Sequence, residues 1–289
     1  MRRVIVFILL AISLTFFVAA ESRPRNLIVY FEFLDNANGV EDAVEFIFNK
    51  MLRPGDQLII QSPTRTYSFS PATLSQPKAG LIAMVQGKLR RDISRAGQGY
   101  KQVIHNLDAA AREIEELAYP SGAIDTNKDM NELFILYRQE LANLNQLRKV
   151  KDASLRTLTA AFRGREGENH LIVLFEREFR PIPKREALNV LADVPKYAFQ
   201  SNELFATGNP RQLFDVPALA AYFKQVPLAQ HFIYVTSKNS LAGGNLFENS
   251  GDMYSAFSKL AEATGGVCKT TAEPMTGLEA VLKTWKNAK

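Results

Sequence analysis

The chain has 289 residues, 46% hydrophobic and 22% charged, a composition that buries a core and excludes global disorder. Its length fits one α/β domain with an insertion, or two units of the usual ~150 residues. One cysteine, Cys268, excludes an intrachain disulfide framework and any zinc cluster of several thiolates, and a formal charge of +5, which falls to +3 without Arg2 and Arg3, is too mild to imply a polyanion partner.

The chain opens on Met1, Arg2 and Arg3, followed by Val4 to Ala20 almost without a polar atom, with Val18 and Ala20 at the −3 and −1 positions of a cut before Glu21. Residues 1–20 therefore read as a cleaved export signal, so the protein is expected to be secreted, periplasmic or extracellular. The alternative is an uncleaved anchor, because the apolar run reaches the lower limit for spanning a bilayer. Membrane contact is expected only in that case. Loss of Arg2 and Arg3 lowers the formal charge to +3.

Leu27 to Leu34 is a nearly continuous apolar run, the pattern of a strand buried on both faces of a parallel sheet, interrupted only by Glu32. After the polar stretch Asp35 to Gly39, Val40, Ala43, Val44, Ile47, Phe48 and Met51 recur at helical spacing until Pro54-Gly55. Asp56 to Gln61 predicts a second strand, and Thr66 to Phe69 a third. Two long helical segments follow. Leu81 to Ala118 keeps a helical beat, with Gly97 and Gly99 as a weak point that could divide it, and Met130 to Leu147 repeats the pattern. Neither can bury its stripe alone, so the two are expected to fold back as an antiparallel hairpin over 78–162, with Arg148 to Phe162 extending the second arm. The sheet pattern resumes at His170 to Phe175, Phe232 to Val235 and Val267 to Thr270. A helix from Asp252 to Thr264 ends at Gly265-Gly266, and a terminal helix from about Glu273 turns Leu278, Val281, Leu282 and Trp285 inward. The whole predicts an α/β fold: a mostly parallel sheet, helices on both faces in a Rossmann-type three-layer arrangement, and an inserted helical hairpin.

Several constellations carry chemistry on paper. Glu32, a carboxylate in an apolar strand, reads either as half of an ion pair or an edge exposure, or as an acidic ligand beside Asp35. Asp125, Asn127, Asp129 and Asn131 imitate the start of a calcium loop, but Met130 and Leu136 stand where glycine and glutamate belong, so a polar loop capping the second arm is expected. Lys88, Arg90, Arg91, Arg95 and Lys101 make the first arm basic, which reads as a solvated face; no nucleic acid is expected. The chain has no Gly-x-Ser-x-Gly, no His-Glu-x-x-His and no phosphate-binding glycine loop. If the strands are parallel neighbours, His170, His231 and Cys268 collect at the N-terminal edge, opposite the edge where open α/β sheets bind ligands. A Cys-His hydrolase is therefore not expected, and Cys268 reads as a small buried core residue.

A buried strand ending in Asp35, a helix from Val40, the phrase Leu52-Arg53-Pro54-Gly55-Asp56, and Leu260 to Gly266 before the last strand together resemble a von Willebrand factor A-like domain of the divergent secreted bacterial type. The resemblance covers 26–75 and 165–289 and leaves the hairpin out. It implies an ion site after the first strand, built from an Asp-x-Ser-x-Ser motif, a later threonine and a later aspartate. Here those first positions are Asp35, Ala37 and Gly39, and Glu176-Arg177-Glu178 stands where the aspartate would be. The site is degenerate, with Asp35 and Glu176 its remaining metal candidates and Asn36 or Asn38 a substitute oxygen. The resemblance thus implies a non-enzymatic module, without a cofactor, that binds an extracellular or envelope protein. Its candidate contact loops are Asp35 to Gly39, Glu176 to Arg180, including Arg177 and Glu178, and Lys238 to Asn249 around Gly243-Gly244. The alternative is a Mg²⁺-dependent enzyme or adhesion domain using the acidic residues at the C-terminal sheet edge.

Overall fold

In the computed structural model, which describes residues 24–34, 39–119, 130–147, 150–206, 215–236 and 245–287, the apolar run after Pro24 forms β1 (Arg25–Glu32), buried at every position. Burial on both faces follows from its place: it is an interior strand of a six-stranded sheet. Gly39 takes a left-handed conformation (φ 76°) and starts α1 (Val40–Phe46), which widens into a π-helical turn over Ile47–Met51. The chain returns through β2 (Gln57–Gln61), parallel to β1, and turns into the short antiparallel edge strand β3 (Thr66–Phe69).

After α2 (Pro71–Leu74) comes the 41-residue helix α3 (Lys78–Ala118), then α4 (Met130–Leu147) and α5 (Asp152–Ala160). The second half of the chain gives β4 (Glu168–Glu176), β5 (Phe179–Pro181), α6 (Arg185–Ala192), α7 (Ala198–Ala206), α8 (Val216–Gln225), β6 (Leu228–Val235), β7 (Leu246–Glu248), α9 (Gly251–Ala263), β8 (Cys268–Thr271) and α10 (Pro274–Asn287). Strand order is β3-β2-β1-β4-β6-β8, with only β3 antiparallel. The two distant stretches meet between β1 and β4, in register from Arg25 opposite Glu168 to Glu32 opposite Phe175. The α/β expectation holds: the sheet is mostly parallel and helices flank it.

Alternation along the strands sorts the core into layers. Leu27, Val29, Phe31, Ile172 and Ile233 face α1, the first half of α3 and α10. Ile28, Tyr30, Val173, Phe175 and Phe232 face α5, α8 and α9. A third core joins Tyr100, Leu107, Ile114, Phe134 and Tyr137 of the hairpin to Leu188 and Leu191 of α6, Leu204 of α7 and Leu34 just after β1. One helix, α3, serves two of these cores, with Leu81, Val85, Leu89 and Ile93 on the sheet and its later turns on α4.

Three expectations are corrected. Gly97 and Gly99 do not divide α3, because packing outweighs a propensity cost of about 1 kcal/mol per glycine: Gly97 is buried, and a Cβ on Gly99 would stand 3.6 Å from Leu147. Asp152 to Ala160 does not extend the second arm; it forms a separate helix, α5, that buries Leu155 in the core formed with α8 and α9. Cys268 is exposed, because β8 is an outer strand. The C-terminus of α9 is as expected: Gly265 (φ 70°) lets its own N–H reach the Glu262 carbonyl and the Gly266 N–H reach that of Ala261, a Schellman ending.

Candidate functional site

Strand order reverses between β1 and β4: the chain leaves β1 toward β2 and leaves β4 toward β6. In open α/β sheets the crevice at such a point, beyond the C-terminal strand ends, is where ligands bind. Glu32 ends β1 there and Glu176 ends β4, both buried. Glu32 belongs to an interior strand, which removes the edge-exposure reading. Burial, with the Glu32 charge adding to it, pushes the Tyr30 phenol far above its ordinary value.

The sequence-predicted site residues fare differently. Asp35, Asn36, Asn38, Gly243 and Gly244 lie outside the described residues, as do Asp125, Asn127 and Asp129. Gly39 caps α1 through its carbonyl, which accepts the Ala43 N–H at 2.9 Å, and a Cβ there would stand 2.8 Å from Pro274. Glu176 accepts the Leu34 N–H on Oε2 at 3.3 Å, so one carboxylate oxygen holds the chain as it leaves β1. Arg177 pairs with Glu248 and sets its guanidinium 4.7 Å from the Phe179 ring centre. Glu178 is 4% exposed. Its N–H donates to Ser250 Oγ at 3.0 Å, its carbonyl accepts the Asn249 N–H, and its Oε2 faces Asn249 Nδ2 at 3.4 Å. Tyr234 completes this network, its hydroxyl 2.6 Å from Glu248 Oε1 and 2.7 Å from Ser250 Oγ; burial first, then the bond to Glu248, push its phenol well up. Glu176, Arg177 and Glu178 are thus brought together, with the two glutamates turned inward. Among the described residues no group of three or more His, Cys, Asp or Glu side chains is placed to hold a metal ion.

A two-stranded ribbon that the sequence pattern did not announce covers this edge. β5 pairs antiparallel with β7, Phe179 opposite Glu248 and Pro181 opposite Leu246. Three-residue strands are too short for alternation to show. The hairpin grips the ribbon: Tyr100 on α3 donates to the Phe179 carbonyl at 3.0 Å, and Tyr137 on α4 to the Pro181 carbonyl at 2.8 Å. Leu34 buries itself in the hairpin core. The C-terminal edge, the ribbon and the hairpin therefore form one connected structure.

The hairpin's outer side carries the feature that sequence reasoning missed. Asn131 and Arg138 on α4 bridge to Gln200 and Glu203 on α7, at 2.5 and 2.8 Å. Ile135 lies between them on the same helical stripe and is 64% exposed; Phe199, four residues before Glu203 on its own stripe, is 71% exposed. Leu136, 43% exposed, lies about 100° further round the same helix as Ile135. In sequence Ile135 and Leu136 merge with the core periodicity around Leu133, Phe134 and Tyr137, so only the packing tells which apolar positions are left outside.

No known protein family's sequence profile matches the chain, and no curated protein does. Among solved structures, the chain is similar to an aerotolerance-related membrane protein from Bacteroides fragilis at 7% identity and a TM-score of 0.42, over 91% of this chain and 99% of that one. It is also similar to the conserved hypothetical protein BatB from Bacteroides thetaiotaomicron, at 9% identity and a TM-score of 0.42, over 91% of this chain and 98% of that one. Among the described residues no helix is long and apolar enough to cross a membrane.

Proposed function

We propose that this chain is an exported, non-enzymatic protein-interaction module of von Willebrand factor A-like type, which works without a metal ion or other cofactor and binds an extracellular or envelope protein. The observation that carries the reading is the exposure of Ile135 and Phe199, large apolar residues on the stripes that carry the Arg138–Glu203 and Asn131–Gln200 bridges. Single exposed apolar residues are ordinary, but large ones on two helices linked by polar bridges are what a protein interface uses at its centre, with polar pairs at the rim. The strand order, reversing between β1 and β4, supports the family reading. Ala37 and Gly39, where the family's ion motif carries hydroxyls, support a module that has lost its ion. Nucleic acid has no part in the reading, and the membrane enters only if residues 1–20 stay attached.

Affinity capture from the cell envelope tests this. The intact chain is expected to retain a defined partner, and the variant Ile135→Ser with Phe199→Ser to lose it while keeping the same melting temperature. Retention of no partner by the intact chain, or equal retention by both, would contradict the proposal.

A further inference from the structure

The N-terminal edge of the sheet holds a pair of buried histidines that the proposed interaction does not use. His170 on β4 and His231 on β6 stack with ring centres 5.4 Å apart, and His170 Nδ1 lies 3.2 Å from His231 Nε2. The backbone fixes their protons. The Val267 N–H donates to His231 Nδ1 at 3.1 Å, so that nitrogen is bare and the ring's hydrogen sits on Nε2. His231 therefore donates to His170 Nδ1, and the hydrogen of His170 sits on Nε2, which faces Glu168 Oε2 at 3.6 Å. Trp285 of α10 covers both rings, at 4.7 Å from His170 and 6.1 Å from His231.

We propose that this pair is an acid-sensitive latch: it holds α10 on the sheet through Trp285 while both rings are neutral, and releases the helix when either ring takes a second proton. The reason is stereochemical. A neutral ring has one bare nitrogen, and here each bare nitrogen already accepts a hydrogen bond. A proton on His231 Nδ1 confronts the Val267 N–H, and a proton on His170 Nδ1 confronts His231 Nε2–H. Protonation at either place sets donor against donor and breaks a bond that ties the approach to β8, or β4, to β6. The released unit is the chain's last strand and helix, since α10 follows β8 directly.

The charged groups that face the pair are Arg25 from β1, Asp56 from the turn before β2 and Glu168 from β4; α10 contributes neutral Trp285, and the approach to β8 a backbone N–H. Arg25 opposes a further cation, and its guanidinium lies 4.5 Å from the Trp285 ring centre. Asp56 and Glu168 favour one, but Asp56 is already paired with Arg25 and Glu168 is largely solvated. Burial, the largest influence, lowers His170 from 6.5 to about 4, and burial with the His170 charge lowers His231 to about 3. Both rings are thus neutral in the closed state at neutral pH. Release of α10 returns them toward 6.5, which is how falling pH drives it. In the closed state the first turn of α10 also packs tightly on β6, where a Cβ at Gly277 would stand 2.4 Å from Ile233.

Trp285 is the only tryptophan, so intrinsic fluorescence reads the latch directly. In the intact chain, lowering pH from 7 is expected to quench the emission and shift it to the red at a higher pH than the one at which far-UV helical signal is lost. His231→Asn keeps an acceptor for the Val267 N–H but does not titrate, and is expected to move that fluorescence change to lower pH; His105→Asn, altering an exposed histidine of α3, is expected to leave it in place. Nitrogen-15 spectra of the unaltered chain add a readout that needs no variant, with His231 Nδ1 bare at neutral pH and protonated across the fluorescence change. Loss of fluorescence and helical signal at one pH, an unchanged profile in His231→Asn, or a protonated Nδ1 at neutral pH would each overturn the latch.

Discussion

Removing Asp56 is expected to cost about 5 kcal/mol, a large part of the 5–15 kcal/mol that holds a typical domain together. Asp56 and Arg25 are each 1% exposed. The carboxylate accepts four hydrogen bonds: from the Arg25 backbone N–H at 2.9 Å, Arg25 Nε at 3.3 Å, Arg25 Nη2 at 2.5 Å and the Arg53 N–H at 2.8 Å. Asp56→Ala strands a buried guanidinium, worth roughly 3–5 kcal/mol, and two backbone donors at about 1 kcal/mol each. Arg25 Nη2 also donates to the Met51 carbonyl at 2.5 Å, which limits how far the side chain can swing out to water. Asp56→Asn with Arg25→Met is expected to be more stable than Asp56→Asn alone, because it removes the orphaned charge and keeps an oxygen for one backbone N–H. Urea unfolding followed by far-UV circular dichroism measures each corner of the cycle, avoiding Trp285, which touches Arg25. A loss below about 1 kcal/mol in Asp56→Ala, or single effects that simply add, would refute the reasoning.

Further outcomes are open to measurement. His170 and His231 have folded values, about 4 and about 3, below the ordinary 6.5. Their contribution to stability is therefore complete above 6.5 and falls away as pH drops toward those values, a loss of roughly 4 kcal/mol at pH 5 relative to pH 8, read from urea midpoints at the two pH values. Gln230 is fully buried, and among the described residues neither of its amide atoms has a partner, so Gln230→Leu is expected to stabilise by about 1–2 kcal/mol, seen as a higher urea midpoint. Gly266→Ala would set a Cβ 1.8 Å from the Gln230 carbonyl oxygen, and is expected to destabilise by about 3 kcal/mol or to prevent folding, judged by melting temperature and soluble yield. Millimolar Mg²⁺ is expected to leave the melting temperature unchanged; a rise that Asp35→Ala abolishes would return the metal-dependent reading.

Much of the sheet was legible because buried parallel strands write themselves as apolar runs. Leu27 to Leu34, His170 to Phe175 and Phe232 to Val235 could hardly be anything else, and the Gly265-Gly266 ending is fixed by left-handed geometry that glycine alone adopts freely. Periodicity located both hairpin arms, yet it could not tell that α3 passes unbroken from the sheet core into the hairpin core, since the spacing from Leu81 to Ile114 is the same whichever surface it meets. The β5–β7 ribbon is too short to leave a pattern. The placement of His170 and His231 at one edge followed from their positions at strand starts, but their contact, and Trp285 above them, depend on register. The exposure of Ile135, Leu136 and Phe199 was invisible for the opposite reason: apolar residues on a helix look alike until the packing of the described residues shows which ones stay exposed.

The proposal that Ile135 and Phe199 form a docking surface is tested most directly by site-specific photo-crosslinking in the living cell. A photoreactive residue in place of Phe199, and separately of Ile135, is expected to yield the same partner adduct, while one in place of Lys259, exposed on α9 across the sheet, yields none. No adduct from either hairpin-side position, or an equal one from Lys259, would contradict the account.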